Sequence, residues 1–273
     1  MYYIMKYKEF GNSGIKNSVI GMGTYYDPLW IVTARFGWLR DSEKKIQSLR
    51  AGLDAGINII DTAELYGSEP LVKKAIEGYE RDKIFISTKV WPTHLKREKL
   101  FKSLEKSLKR LGTGYVDLYL IHFPGSKDSN REALLAMEEA LESGLIKFIG
   151  LSNFNLKDIV EARKTLRKND ITAIQNQYNL KHREPEKDLL PYCEKEKIAF
   201  MSYYPLAHGK LTEDKNIIEI SKKLKITPAQ LSILWLLRWS SVFPIPRASR
   251  PEHVIENAKA AEIEIPTEIL EKI

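Results

Sequence analysis

The sequence predicts an α/β fold, a (β/α)8 barrel of parallel strands with an N-terminal β-hairpin capping its bottom. Three observations carry this expectation. Short apolar runs alternate with longer amphipathic segments along the chain, with no low-complexity linker between them, and the runs number eight. The runs are apolar on both faces, as strands covered by helices on each side must be. Polar residues also interrupt these runs at near-regular spacing, each at or just after the C-terminal end of a strand. The 273 residues suit a single barrel domain spanning residues 1–273. An open doubly wound sheet is the rival, and alternation by itself does not separate the two.

Taken in order, MKYKEFGNSGIKNSV (5–19) reads as a hairpin around an Asn-Ser-Gly turn. The strands follow as SVIGMGT (18–24), INIIDT (57–62), KIFISTKV (83–90), YVDLYLIH (115–122), IKFIGLS (146–152), ITAIQN (171–176), IAFMSYY (198–204) and SVFPIP (241–246). Helical periodicity occupies 41–56, 67–79, 97–112, 130–144, 155–168, 184–196, 226–239 and 251–260. Asp41 and Thr227 stand at N-cap positions, and Gly56, Gly112 and Gly144 end helices where a left-handed residue is needed.

Composition narrows the function classes. The net charge of +7 invites an anionic ligand, but Lys and Glu interleave in KREKLFKSLEKSLKR (96–110) as on solvated helix faces, with no basic-aromatic stripe for nucleic acid. The lone Cys193 cannot close an intrachain disulfide, and no Cys/His cluster has the spacing of a metal site. The start MYYIMKYKEF lacks the apolar run of a signal peptide, and LSILWLL from Leu231 is too short to cross a bilayer. A soluble, cytoplasmic, metal-free protein is expected.

The strand ends carry the chemistry. Asp61, Lys89, His122, Ser152 with Asn153, Gln175, Tyr203 and Arg247 would meet on one rim of a closed barrel, the rim where such barrels hold their active sites. Each alone has a plainer reading, as a turn residue, an exposed lysine or a structural histidine. Together they suggest an acid assisted by a cation. An Asp61–Lys89 ion pair beside Tyr66 is expected to lower the phenol's pKa, while His122 orients a carbonyl oxygen. That set suits reduction of a C=O group, for which no side chain supplies hydride and a nicotinamide cofactor is required.

From Met5 to about Ala260 the chain resembles the aldo-keto reductases. The likeness rests on DTAELYGSE, STKVW, LEKSLKRLGTGYVDLYLIHFP, GLIKFIGLSNFN and IQNQYNL in the right order. The resemblance implies a catalytic tetrad of Asp61, Tyr66, Lys89 and His122, with Tyr66 as proton donor. It implies that Ser152, Asn153 and Gln175 hold the nicotinamide carboxamide, that Tyr203 stacks on its ring, and that Gly23 and Thr24 line the same pocket. It also implies a monomer.

No G-x-G-x-x-G occurs, since Tyr26 takes the third glycine's place in GMGTYY, which disfavours a Rossmann dehydrogenase. In the resembling family the adenosine phosphate lies after the last strand, here PIPRASRPEHVIEN (244–257). Arg247 is placed to pair with a 2′-phosphate and Ser249 to add a hydrogen bond, so NADP(H) is expected over NAD(H). His253 stands where many members have a second arginine, Arg250 is its possible substitute, and Asn257 is expected at the adenine end. Tyr25, Tyr26, Trp91 and Phe123 are candidate walls of an apolar pocket for a small carbonyl substrate. Short loops after His122 and Tyr204, and an end at Ile273 without the family's common tail, suggest an open site with broad aldehyde activity.

Two other functions use the same residues. A nucleotide sensor on this fold need not keep the tetrad, which is intact here. A Schiff-base enzyme would need Lys89 uncharged, whereas Asp61 would hold it as an ammonium.

Overall fold

The computed structural model describes residues 5–270 and Ile273. The reading of the first ten residues as lacking a signal run falls partly on residues 1–4, outside the described residues. Strands β1 (Tyr7–Glu9) and β2 (Lys16–Ser18) form the antiparallel hairpin, with Tyr7 opposite Ser18. Eight parallel strands then follow: β3 (Gly21–Gly23), β4 (Ile59–Asp61), β5 (Phe85–Val90), β6 (Val116–Ile121), β7 (Ile146–Ser152), β8 (Ile171–Gln177), β9 (Ala199–Tyr203) and β10 (Val242–Pro244). Each pairs with the next in chain order. The Gly23 amide donates to the Pro246 carbonyl at 3.1 Å, so the first and last strands meet and the sheet is nearly closed. The open-sheet alternative is thereby set aside.

The seam explains a glycine. A Cβ on Gly23 would stand 2.9 Å from the Ile245 carbonyl oxygen, so only a bare Cα lets the two strands approach.

Helices fill the crossovers: α1 (Pro28–Arg35), α2 (Ser42–Asp54), α3 (Glu69–Ile76), α4 (Arg97–Leu111), α5 (Lys127–Glu142), α6 (Leu156–Thr165), α7 (Leu189–Glu196), α8 (Lys215–Lys223), α9 (Pro228–Leu237), α10 (Pro251–Lys259) and the short α11 (Thr267–Leu270). In α4, Leu100, Leu104, Leu108 and Leu111 recur at helical spacing and are buried, while Lys99, Lys102, Glu105, Lys106 and Lys109 face water. Gly112 caps it in the left-handed region. Thr227 and Gln230 form a reciprocal capping box at the start of α9. Asp41 precedes α2 as expected, but in a left-handed conformation with no side-chain capping bond. No helix among the described residues is long and apolar enough to cross a membrane.

Helices α1 and α8 are absent from the sequence reading. Each begins at an aspartate whose carboxylate accepts amide bonds, Asp27 from Trp30 and Asp214 from Asn216 and Ile217.

Strand pleat sorts the apolar residues into two sets. Ile59, Phe85, Leu118, Leu120, Ala173, Ala199, Met201, Phe243 and Ile245 form the barrel interior. Their alternates, among them Ile60, Ile86, Tyr119, Ile121 and Phe200, pack outward against the helices. Phe10, at the end of β1, enters the interior from below with its ring 4.7 Å from Phe85 and 4.8 Å from Phe243. The hairpin plugs the barrel's bottom, as its sequence suggested.

Candidate active site

The pleat that fills the barrel also aims the site. Asp61 keeps the parity of Ile59, Lys89 that of Phe85, His122 that of Leu118 and Leu120, Gln175 that of Ala173, and Tyr203 that of Ala199 and Met201. Ser152 and Arg247 follow the same rule on β7 and after β10. Each of these side chains therefore holds an inward position at or next to the C-terminal end of its strand, and together they converge above the apolar interior. The expectation that they share one rim is met.

Beneath the rim, Lys89 Nζ donates to Asp61 Oδ2 and to the Thr62 carbonyl, both at 2.7 Å. The other oxygen, Asp61 Oδ1, accepts from Ser87 Oγ at 2.9 Å and from Gln175 Nε2 at 2.8 Å. A buried carboxylate so fully bonded is held in one rotamer. Burial pulls the Lys89 pKa down and Asp61 pushes it back up.

Tyr66 lies in the turn after β4, its hydroxyl 3.3 Å from His122 Nε2. One sequence expectation needs correcting here. The Tyr66 pKa is raised well above its ordinary value, chiefly because burial penalises the phenolate and secondarily because Asp61 repels it. Lys89 is 4.9 Å from the ring centroid but its charge is already committed to Asp61. The free phenol is therefore firmly protonated rather than poised to ionise.

His122 is boxed by Phe123, stacked at 5.1 Å, and by the edges of Trp91 and Tyr66. Burial first, then the Lys89 charge, lower its pKa to about 2, so the imidazole is neutral. Its Nδ1 is buried with no hydrogen-bond partner among the described residues. A lone acceptor is cheaper to bury than a lone N–H donor, which puts the proton on Nε2. His122 then donates toward the Tyr66 oxygen and leaves the phenol's own proton free for a ligand.

These groups open onto a cleft of about 990 Å³. Its lining includes Tyr25, Trp91 and Phe123, then Ser152, Asn153, Gln175 and Tyr203, and also Arg247, Ser249, His253 and Asn257. Asn153, at φ 64°, receives the Tyr203 hydroxyl on its amide oxygen at 2.8 Å and donates to the His122 carbonyl at 2.8 Å and to Ser152 Oγ at 3.1 Å. Arg247 reaches Ser249 Oγ at 3.2 Å and the Tyr26 carbonyl at 3.3 Å, and His253 lies 3.4 Å from Glu256.

One expected lining residue sits elsewhere, and a second is largely buried. Thr24 is fully buried, its hydroxyl on the Asp61 carbonyl and Ser68, and does not line the cleft. Tyr26 touches the cleft, but its ring is buried against Trp30. Tyr204, unassigned from sequence, lines the cleft beside His208, with ring centroids 3.7 Å apart. Sequence reasoning also missed Glu64, whose carboxylate accepts from the Trp91 amide, His94 and Ser103 and so fixes the loop that carries Trp91.

The barrel, its rim of convergent inward side chains and the neutral imidazole beside a buried phenol define a carbonyl oxidoreductase site. The chain belongs to the aldo/keto reductase family, whose profile matches residues 29–273. It is an oxidoreductase acting on carbonyl groups, in a family that uses nicotinamide cofactors. Among curated relatives it is 37% identical to methylglyoxal reductase YeaE of Escherichia coli, over 81% of this chain and 80% of that one. It is 32% identical to the glyoxal reductase of Bacillus subtilis, over 86% and 84%. Among solved structures it superposes on a thermostable aldo-keto reductase bound to the inhibitor epalrestat, with TM-score 0.88, 38% identity and 98% of each chain covered. An aldo-keto reductase of Klebsiella pneumoniae in complex with NADPH gives TM-score 0.87 and 33% identity, over 98% of this chain and 94% of that one.

Proposed function

We propose that this enzyme reduces small aldehydes and ketones with NADPH, reversibly, and that Tyr66 delivers the proton to the carbonyl oxygen. The observation that carries the reading is the juxtaposition of the Tyr66 hydroxyl and His122 Nε2, 3.3 Å apart, in a cleft that Arg247 also lines.

The donor set along the cleft fits a nicotinamide dinucleotide. Ser152, Asn153 and Gln175 offer the hydroxyl and amides a carboxamide needs, and Tyr203 offers a ring face. Arg247 offers a guanidinium, and Ser249 and His253 offer hydrogen-bonding groups, suited to a 2′-phosphate, with Asn257 lining the same cleft. The cofactor, when bound, supplies the hydride. The Klebsiella relative binds NADPH, which supports the same choice here.

The chain's own residues handle the oxygen. With His122 Nε2–H only 3.3 Å from the Tyr66 oxygen, a carbonyl oxygen that takes the Tyr66 proton can also accept from His122, one group polarising it and the other protonating it. An alkoxide is a far stronger base than a phenolate, so a phenol with a raised pKa still gives up its proton once charge has developed. Lys89, paired with Asp61 and 4.9 Å from the Tyr66 ring centroid, offsets part of the Asp61 charge that would otherwise repel the phenolate left behind.

Tyr25, Trp91 and Phe123 make an aromatic mouth with few polar groups, suited to varied small carbonyls such as those for which the relatives are named. The test is NADPH oxidation with methylglyoxal and a panel of aldehydes, comparing wild type with Tyr66→Phe. Turnover by wild type and its near-total loss in the variant, with NADPH still bound, supports the reading. A fully active variant overturns it. If both proteins bind NADPH and neither turns over, a nucleotide-sensing role takes its place.

A further inference from the structure

Tyr66 is held from behind by α1, whose Ile31 also lines the cleft. Trp30, on α1, is fully buried, and its indole N–H donates to the Tyr66 carbonyl oxygen at 3.0 Å. One residue on, Gly67 has φ +69°, and a Cβ there would stand 2.6 Å from the Ala34 Cβ of the same helix. The helix therefore meets the Tyr66–Gly67 turn at two points, one polar and one by close packing.

The helix itself is pinned. Asp27 caps its first turn through the Trp30 amide at 2.7 Å. The Trp30 ring takes the edge of Tyr26 at 5.3 Å and lies 4.6 Å from the Lys45 ammonium, which is fixed by the Arg40 carbonyl at 2.6 Å. Trp30 is thus clamped on its ring and tied to Tyr66 by its N–H. The phenol, by contrast, has one hydrogen-bond contact among the described residues, His122 at the long distance of 3.3 Å. Its aim depends on the backbone that carries it.

We infer that α1 is a brace for the proton donor and that Trp30 is its positioning residue, acting through the Tyr66 backbone. Small displacements of a reacting group cost rate steeply, up to about a hundredfold for an ångström, whereas ligand binding elsewhere in the cleft is untouched. Loss of the indole N–H should therefore lower kcat and leave cofactor affinity alone. This inference rests on the proposal that Tyr66 protonates the substrate, and its test separates the two.

The experiment is a double-mutant cycle in aldehyde reduction, with NADPH affinity measured by fluorescence titration. Trp30→Phe keeps an aromatic ring and removes the donor. In the Tyr66-containing enzyme it should lower kcat by about tenfold, with the Kd for NADPH changed less than about twofold. In a Tyr66→Phe background it should change the residual rate by less than about twofold. An equal loss in both backgrounds, or unchanged kcat in the first, overturns the brace. Full activity of Tyr66→Phe alone would instead overturn the proton-donor assignment. Should Trp30→Phe fail to fold, Asp27→Ala, which uncaps α1 without touching the core, is carried through the same cycle with the same criteria.

Discussion

The Lys89 ammonium lies 2.7 Å from the Asp61 carboxylate, with the two side chains 0% and 4% exposed. Removing one partner strands the other as a buried charge. Lys89→Met should cost about 3–5 kcal/mol of stability, and adding Asp61→Asn should return much of it, because no uncompensated ion remains. Urea unfolding of the two variants checks this. Turnover should stay lost in the double variant even as stability recovers, which separates the pair's structural role from its chemical one.

His122 carries a pH signature. Its pKa is depressed in the folded protein, so below the ordinary histidine value of about 6.5 the unfolded chain binds a proton that the folded one refuses. Stability contributed by the neutral imidazole is present above that value and lost as pH falls, by up to about 1.4 kcal/mol per pH unit. His122→Gln should flatten this acid slope in denaturation curves measured from neutral pH downward. For the same reason kcat should show no histidine inflection between about pH 5 and pH 8.

Tyr66 should stay a phenol in alkali without cofactor, since burial and Asp61 both raise its pKa. Ultraviolet titration of wild type and Tyr66→Phe should coincide up to about pH 10, the ordinary tyrosine value. A phenolate that appears earlier and vanishes in the variant would restore the sequence-based expectation that the ion pair acidifies it.

Arg247→Ala should weaken NADPH binding by about tenfold or more and change NADH binding little, as expected for loss of a guanidinium–phosphate contact. Fluorescence titration with each cofactor reads the ratio. An unchanged ratio would remove Arg247 from cofactor selection.

Gly23→Ala should lower stability by about 1–3 kcal/mol, because its methyl group would meet the Ile245 carbonyl across the barrel seam, where backbone cannot yield easily. A lowered thermal midpoint is the check.

Much of this molecule was legible because strand pleat is a strict rule. Once Ile59 and Phe85 are taken as inward, Asp61 and Lys89 must be inward too, and the same counting places His122, Gln175 and Tyr203. Tyr66 is different: it lies in a turn, where no periodicity acts, and only the motif around it pointed to a role. The error over its pKa has a physical source, since proximity of Lys89 says nothing about whether that charge is already paired, and burial is invisible in a string of letters. Helices α1 and α8 were announced by Asp27-Pro28 and by Asp214, but both are short segments inside long connections, where a few apolar residues give a weak period. The bond from Trp30 to Tyr66 had no local signal at all, as 36 residues separate the two.

The Phe10 plug and the Gly23–Pro246 seam also say something about the order in which the chain can become itself. Phe10 and Gly23 leave the ribosome well before their partners Phe243 and Pro246, which follow them by 233 and 223 residues. Until then the β3 edge has nothing to pair with and the plug lacks one wall of its socket. The barrel thus closes only after residues 242–246 have been synthesised, and a chain cut short before Val242 is left with an open edge on each side.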